Sequence, residues 1–343
     1  MNIDQWLQHE LLIQRLASRS MREEVNPKLE ALYREVRDII RLRGLPQTPA
    51  QLTAIENAIS AAVARQNLWA GTNASLNDFA AYEAQFTANL VASATTATII
   101  TPAEAQIQSF VQQALMSLES GQRTQTGTWA QFVKGSTDSV IRDINDAIRT
   151  GYARGETIGV LSRRLRDTFE RTQTGAEALA RTGYSHYANA ARAAMIEAQE
   201  IELEYVYIAT LDSRTTLGCR ALDGTKYRRD QDRPSLPRHF NCRSTYGVLP
   251  RGAELQGTRA AVGGNTDGTF DPGQVRAQTS HENWLRRQPK WFVEEALGTT
   301  RAELFLRGDL DLSRFVDMAG KPLTLAELRD VIDPKIWRDV AGG

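Results

Sequence analysis

Apolar residues in the first part of the chain recur at the spacing of one helix face. Leu29, Leu32, Tyr33, Val36, Ile39 and Ile40 form a stripe with charged residues between them, the pattern that lets a helix bury one side. Pro27 falls inside this pattern and predicts a break into two helices, with Asn26 placed to cap the second. Gly44 and the prolines of GLPQTP predict the stop, and a third helix is expected from about Pro49 to Asn67. From Leu68 to Ile107 the chain is rich in alanine, threonine and asparagine and poor in charge. That suits helices packed through small residues, or a segment that orders against a partner. Helical spacing returns from Pro102 to Leu118, and ESGQRTQTGT then reads as a polar linker and the main domain boundary.

Ser139 to Ala198 reads as helical again, with breaks expected at Gly151 to Gly155 and near Thr172 to Gly175. Arg142, Arg149, Arg154, Arg163, Arg164, Arg166, Arg171, Arg181 and Arg192 punctuate it and read as a solvated face. Within that set Arg163, Arg164 and Arg166 are the candidates for contact with DNA or an acidic protein surface. At Glu204 the period changes. EYVYIATLDSRT alternates β-branched and aromatic residues, and TKYR and STYGVLP are two further short strand candidates. The glycine-rich stretch after Pro250 reads as loop, and SHENWLRRQPKWFVEEALG resumes the helix. The expected fold is α+β and predominantly α-helical. An elongated helical, partner-binding N-terminal part (1–120) and a helical middle (121–203) precede a compact α+β unit around a Cys/His loop with a helical tail (204–343).

Composition narrows what such a fold does. Lysine plus arginine and aspartate plus glutamate both number 41, so no overall field draws in nucleic acid or membrane, and such binding has to be local. No apolar run approaches the roughly 18 residues of a membrane span, and MNIDQWLQHELL lacks the basic and apolar regions of a signal peptide. The expectation is a protein made in the cytoplasm, with no membrane partner. Two cysteines are too few for a disulfide framework and point to metal binding, reactivity or neither.

Both cysteines lie in CRALDGTKYRRDQDRPSLPRHFNCR, where Cys219, His239 and Cys242 are spaced C-x19-H-x2-C. Thiolate and imidazole suit zinc, and a fourth ligand could come from Asp212 or from water. The same residues admit two reduced thiols beside a structural histidine, a Cys219–Cys242 disulfide, or a cysteine nucleophile served by His239 and Asp212. HFN also has the flavour of nucleases that use histidine and asparagine, although no second histidine lies nearby.

TLDSRTTLGCRALDGTKY followed by LPRHFNCRSTYGVLP resembles the signature of the Mu F-like head morphogenesis family, the minor head proteins of tailed bacteriophages. Asp212, Arg214, Thr215, Cys219, Asp223, Gly224, Pro237, His239, Cys242 and Arg243 fall on its positions. ALARTGYSHYANAAR is similar to the helix before the signature, with Gly183 where an acidic residue is usual. Trp284, Leu285, Gln288, Leu297, Gly298, Arg301 and Gly308 match the family's tail, so the resemblance spans about Val140 to Asp330. It departs at Thr216 and Ser244, where many members carry further cysteines. That departure ranks reduced thiols ahead of zinc and the disulfide last, so no cofactor is expected, with zinc the alternative. Asp223 and Gly224 suit a tight turn, and Arg214 or Arg243 could pair with Asp212. The resemblance implies a minor head protein, not an enzyme, in several copies inside the capsid or at the portal vertex of the virion. Its implied partners are the portal protein, capsid protein and genomic double-stranded DNA, with a role in DNA packaging or delivery. The rival readings are an enzyme, or a zinc-dependent nucleic-acid-binding protein, delivered with the phage genome.

Overall fold

A computed structural model describes residues 3–121 and 123–341. The chain is a predominantly helical α+β protein. Helix α1 (Ile3–Ser20) runs through one π-helical turn (Met21–Val25) into α2 (Asn26–Arg43). The break predicted at Pro27 is therefore a widened turn within a continuous helix. Asn26 is itself helical and does not cap. The reason is local: proline lacks the N–H and crowds the carbonyl four residues back, and a wider turn accommodates both. Gly44, at φ 73°, ends α2 as expected. Thr48 caps α3 (Pro49–Gln66) through a reciprocal capping box with Gln51. The alanine-rich stretch forms α4 (Ala70–Ala92), and α5 (Glu104–Gln113) follows.

The next two expectations need correction. The spacing predicts helix through to Leu118 and a linker at ESGQRTQTGT. Instead Leu115–Ser120 (β1) and Arg123–Thr128 (β2) form an antiparallel hairpin, with Met116 and Leu118 buried on alternate positions. Thr128 then caps α6 (Trp129–Ala153), and Gly155, at φ 59°, turns the chain into α7 (Ile158–Glu197). Helix α7 is forty residues long, and the break expected near Thr172 to Gly175 does not occur. Thr172 and Thr174 donate their hydroxyls to the carbonyls of Thr168 and Glu170 within the helix, so these polar side chains are satisfied without interrupting it.

Helix α7 is the spine of the molecule. α1, α2, α4, α5 and α6 all pack on it, and β5 (Thr245–Pro250) lies against it. The apolar stripes of the N-terminal helices are thus covered within the chain, by α7 and the sheet beyond it, and need no partner for burial. Three predicted strands form one antiparallel sheet in the order β4 (Lys226–Arg228), β3 (Leu203–Ile208), β5. Tyr205 pairs with Tyr227 on one side and Val248 on the other. The glycine-rich stretch after Pro250 is a second hairpin, β6 (Thr258–Gly264) and β7 (Phe270–Arg276), rather than loop.

The helical tail contains α9 (His281–Leu285), α10 (Lys290–Leu297), α11 (Thr299–Leu306), α12 (Leu325–Val331) and α13 (Pro334–Ala341). Trp284, Phe292, Phe305 and Phe315 fill its core, which Leu211 and Ala261 join. Among the described residues no helix is long and apolar enough to cross a membrane.

Candidate functional site

The Cys/His loop is held between the sheet and the tail. After β3 the chain enters α8 (Leu217–Leu222), which carries Cys219, and returns through a proline-containing segment to His239 and Cys242 just before β5. The H-x-x-C step closes on itself: the Cys242 N–H donates to the His239 carbonyl at 3.1 Å, and Asn241 takes the left-handed conformation at φ 58°, which asparagine tolerates.

These elements bring the three residues together. Cys219 Sγ lies 3.9 Å from Cys242 Sγ and 3.6 Å from His239 Nε2, and all three ligand atoms lie within 4.8 Å of one another. Both cysteines are buried and unbonded. His239 Nδ1 is 2.9 Å from the Phe240 carbonyl. A carbonyl only accepts, so Nδ1 carries the proton, and in the neutral ring Nε2 presents its lone pair toward the sulfurs. The buried Tyr207 hydroxyl donates to Cys219 Sγ at 3.2 Å, and the Thr216 hydroxyl lies 3.1 Å from His239 Nε2. Thr216 and Ser244, the positions where the resembling family carries further cysteines, both border the cluster, since Ser244 hydrogen-bonds Cys219.

The electrostatics follow from this packing. A hydrogen bond from Cys242, with His239 alongside, holds the Cys219 thiol well below the usual range despite burial. Cys242, as donor and buried, is pushed well above it. Burial disfavours imidazolium at His239, but the Cys219 sulfur, with the Phe240 carbonyl and Glu119, raises the ring's pKa overall. The site therefore favours one thiolate shared between two sulfurs beside an imidazole.

Asp212 is not part of this cluster. Its carboxylate accepts from the backbone N–H of Arg214 and Thr215 and takes two bonds from Arg243, at 2.5 and 3.0 Å. Burial raises its pKa, but the Arg243 guanidinium and Thr215 hold it below the usual carboxylate range. Arg243 is its close partner, and the largely exposed Arg214 forms a looser ion pair with it at 4.0 Å. Asp212 thus shapes its own turn and ties it to the strand-entry arginine, apart from the three converging residues.

The remaining polar residues of the loop clamp neighbouring segments. Gly224, at φ 82°, makes the expected turn. Asp223 beside it also accepts from the backbone N–H of Ala209 and His281 and from both terminal nitrogens of buried Arg259. Arg220 donates to the carbonyls of Ser213 and Ala296, and burial lowers its pKa to about 10. Arg238 bonds Glu119 at 2.5 Å and the Ala319 carbonyl at 3.0 Å. Sequence reasoning missed these roles because most of the partners lie far along the chain.

Of the candidate contact arginines, Arg163 and Arg166 are exposed, whereas Arg164 is half-buried and pairs with Glu156. Arg192, read as part of a solvated face, is fully buried instead. Its Nε donates to Glu83 at 2.6 Å and its Nη2 to Glu10 at 3.1 Å, while its Nη1 reaches Thr245 and the Tyr246 carbonyl. Trp6 lies 4.9 Å from the guanidinium, and His9 bonds the other Glu83 oxygen. Burial pushes Glu83 up, but Arg192 and His9 together hold its carboxyl below the usual range.

The family described as Phage Mu protein F like protein matches residues 142–246, which takes in most of α6, all of α7, the Cys/His loop and the start of β5. The part of the resemblance read beyond Tyr246 lies outside this match. No curated protein and no solved structure matches the chain. Over residues 142–246, just under a third of its length, the chain is similar to the family of phage Mu protein F like proteins.

Proposed function

We propose that the chain is a structural component of a phage head, a minor head protein held at the portal vertex or inside the capsid. The family match over residues 142–246 carries this reading and supports a head-associated virion component. The portal vertex, the portal and capsid partners, several copies per virion and a role in packaging or delivering DNA are the finer part of the proposal. What the loop does with its polar residues also favours structure over catalysis. Asp212, Asp223, Arg220, Arg238 and Arg243 are all engaged in holding turns, hairpin and tail together, so the chemistry that would serve a reaction is spent on positioning backbone. Contact with genomic DNA would fall to exposed cations such as Arg163 and Arg166 and would be sequence-independent and weakened by salt.

Mass spectrometry of purified virions before and after DNA ejection tests the proposal, together with pull-down of the tagged full-length chain against portal and capsid proteins. The expected result is a few copies per virion and co-purification with portal. Absence from virions that contain portal and capsid would overturn it. Salt-dependent DNA binding without any portal or capsid interaction would favour the rival nucleic-acid-binding module.

A further inference from the structure

We propose that Cys219, His239 and Cys242 form a three-ligand zinc site whose fourth position is left to water or to a donor from outside the chain. The inference stands on the geometry of the loop and does not depend on the head reading. With zinc–sulfur bonds of about 2.3 Å and a zinc–nitrogen bond of about 2.0–2.1 Å, a tetrahedral ion sets sulfur–sulfur at about 3.8 Å and sulfur–nitrogen at about 3.5–3.6 Å. The observed Sγ–Sγ separation is 3.9 Å and the Cys219 Sγ–His239 Nε2 separation 3.6 Å. These two edges match the tetrahedron, and Cys242 Sγ and His239 Nε2 lie within 4.8 Å of each other, so the third edge has to close in by up to about 1.2 Å on metal binding. Two packed thiols account for the first edge but require no imidazole at the second.

The surroundings supply what a ligand set needs in addition to spacing. The Phe240 carbonyl fixes the His239 tautomer and turns Nε2 inward, the arrangement by which metal-bound histidines are oriented. Tyr207 donates to the Cys219 sulfur from the buried side, which stabilises charge on a thiolate without competing for the metal. Among the described residues no fourth histidine, cysteine, aspartate or glutamate joins the three. Thr216 and Ser244 stand beside the cluster with hydroxyls, weak zinc ligands that can hydrogen-bond a coordinated water. An open fourth position distinguishes catalytic and exchangeable zinc sites from closed structural ones.

The test uses the full-length chain purified without chelator. Elemental analysis should find about one zinc per chain, and intact mass under non-reducing conditions should show both thiols unoxidised. Replacing the zinc with cobalt(II) should give thiolate-to-cobalt charge-transfer absorption and the intense visible bands of tetrahedral coordination. Cys219→Ser with Cys242→Ser should abolish both signals, with circular dichroism reporting whether that variant remains folded. If the variant unfolds, the stoichiometry and the cobalt spectrum of the wild-type chain still decide. Metal-free reduced thiols that take up no added zinc, a mass lower by two hydrogens, or zinc retained by the double variant would each overturn the site.

Discussion

Arg192 carries its charge where water does not reach, and its surroundings show what that requires. Glu83 and Glu10 supply counter-charge, Thr245 and the Tyr246 carbonyl accept the remaining donors, and the Trp6 ring covers the guanidinium. Removing one member of such a set leaves a buried charge uncompensated, which typically costs about 3–5 kcal/mol. Arg192→Met should therefore lower the unfolding free energy by about that amount, and Arg192→Met combined with Glu83→Gln should recover part of the loss, as read from urea denaturation. A second titratable residue on α7 behaves in the opposite sense. Burial lowers the His186 pKa to about 4, against a smaller opposing hydrogen bond to the Ala114 backbone, and Nε2 has no hydrogen-bond partner. The folded state resists a proton that the unfolded chain accepts near pH 6.5, so the unfolded state binds more protons and stability falls as pH drops from about 6.5 toward 4. The shift corresponds to about 3 kcal/mol of stability that His186 contributes above this window and loses across it. His281, also lowered well below its ordinary value by burial and the nearby Arg220 and Arg259, acts with the same sign. Comparing wild type with His186→Asn across that pH range isolates the His186 share. A wild-type-minus-variant difference that does not vary with pH would rule the assignment out.

At the scale of elements, two glycines on α7 look alike in sequence and differ in packing. Gly175 is exposed, and an added Cβ there would meet nothing within 4 Å, whereas at Gly183 it would sit 2.5 Å from the Trp129 ring. Gly175→Ala should stabilise the helix by about 0.5–1 kcal/mol. Gly183→Ala should destabilise by about 1–3 kcal/mol despite the same gain in propensity, because the ring has to move; thermal or urea unfolding of the two variants checks both signs. The Trp129 contact also accounts for glycine at a position where the resembling family usually has an acidic residue. On the first turns of the same helix, replacing Arg163 and Arg166 with alanine should weaken salt-sensitive DNA retention and leave unfolding within about 0.5 kcal/mol of wild type. The paired Arg164 is better left in place, since its loss would free Glu156. Elements with a clean period were legible in the sequence: the stripe of α2, the alternation of β3 and the short strands around it. The two hairpins were not. β2 reads RTQTGT and β6 with β7 are rich in glycine, so backbone pairing rather than an apolar pattern defines them. The convergence of Cys219, His239 and Cys242 was legible because its turn signals are local. Arg192 was not, because its carboxylates lie 109 and 182 residues away and nothing nearby separates a buried arginine from a solvated one.

For the molecule as a whole, the family segment and the fold do not share boundaries. The segment 142–246 contains Arg192, Thr245 and Tyr246, but Glu83, Glu10, His9 and Trp6 all lie before it. Its α7 also loses α1, α4 and α5, which cover the face bearing Tyr184, Ala188, Ala191 and Met195. On the other side Asp223 keeps the backbone N–H of Ala209 but loses Arg259 and His281, and Arg220 loses the Ala296 carbonyl. A chain cut to residues 142–246 would therefore expose an apolar helix face and lose the partners that fix Arg192, Arg220 and Asp223. Domains are stable by only about 5–15 kcal/mol, so loss of that apolar burial removes a large part of the margin. The isolated segment should be insoluble or lack cooperative unfolding, whereas the full chain should unfold with a sharp transition, with α7 among its most protected amides in hydrogen exchange. Supplying residues 3–120 as a separate chain by co-expression should not rescue the segment fully, because the donors to Asp223 and the acceptor for Arg220 lie beyond residue 246. Adding the tail as well should. A soluble 142–246 fragment with a native-like exchange pattern would show that the N-terminal helices and the tail are accessories to the family segment rather than parts of its fold.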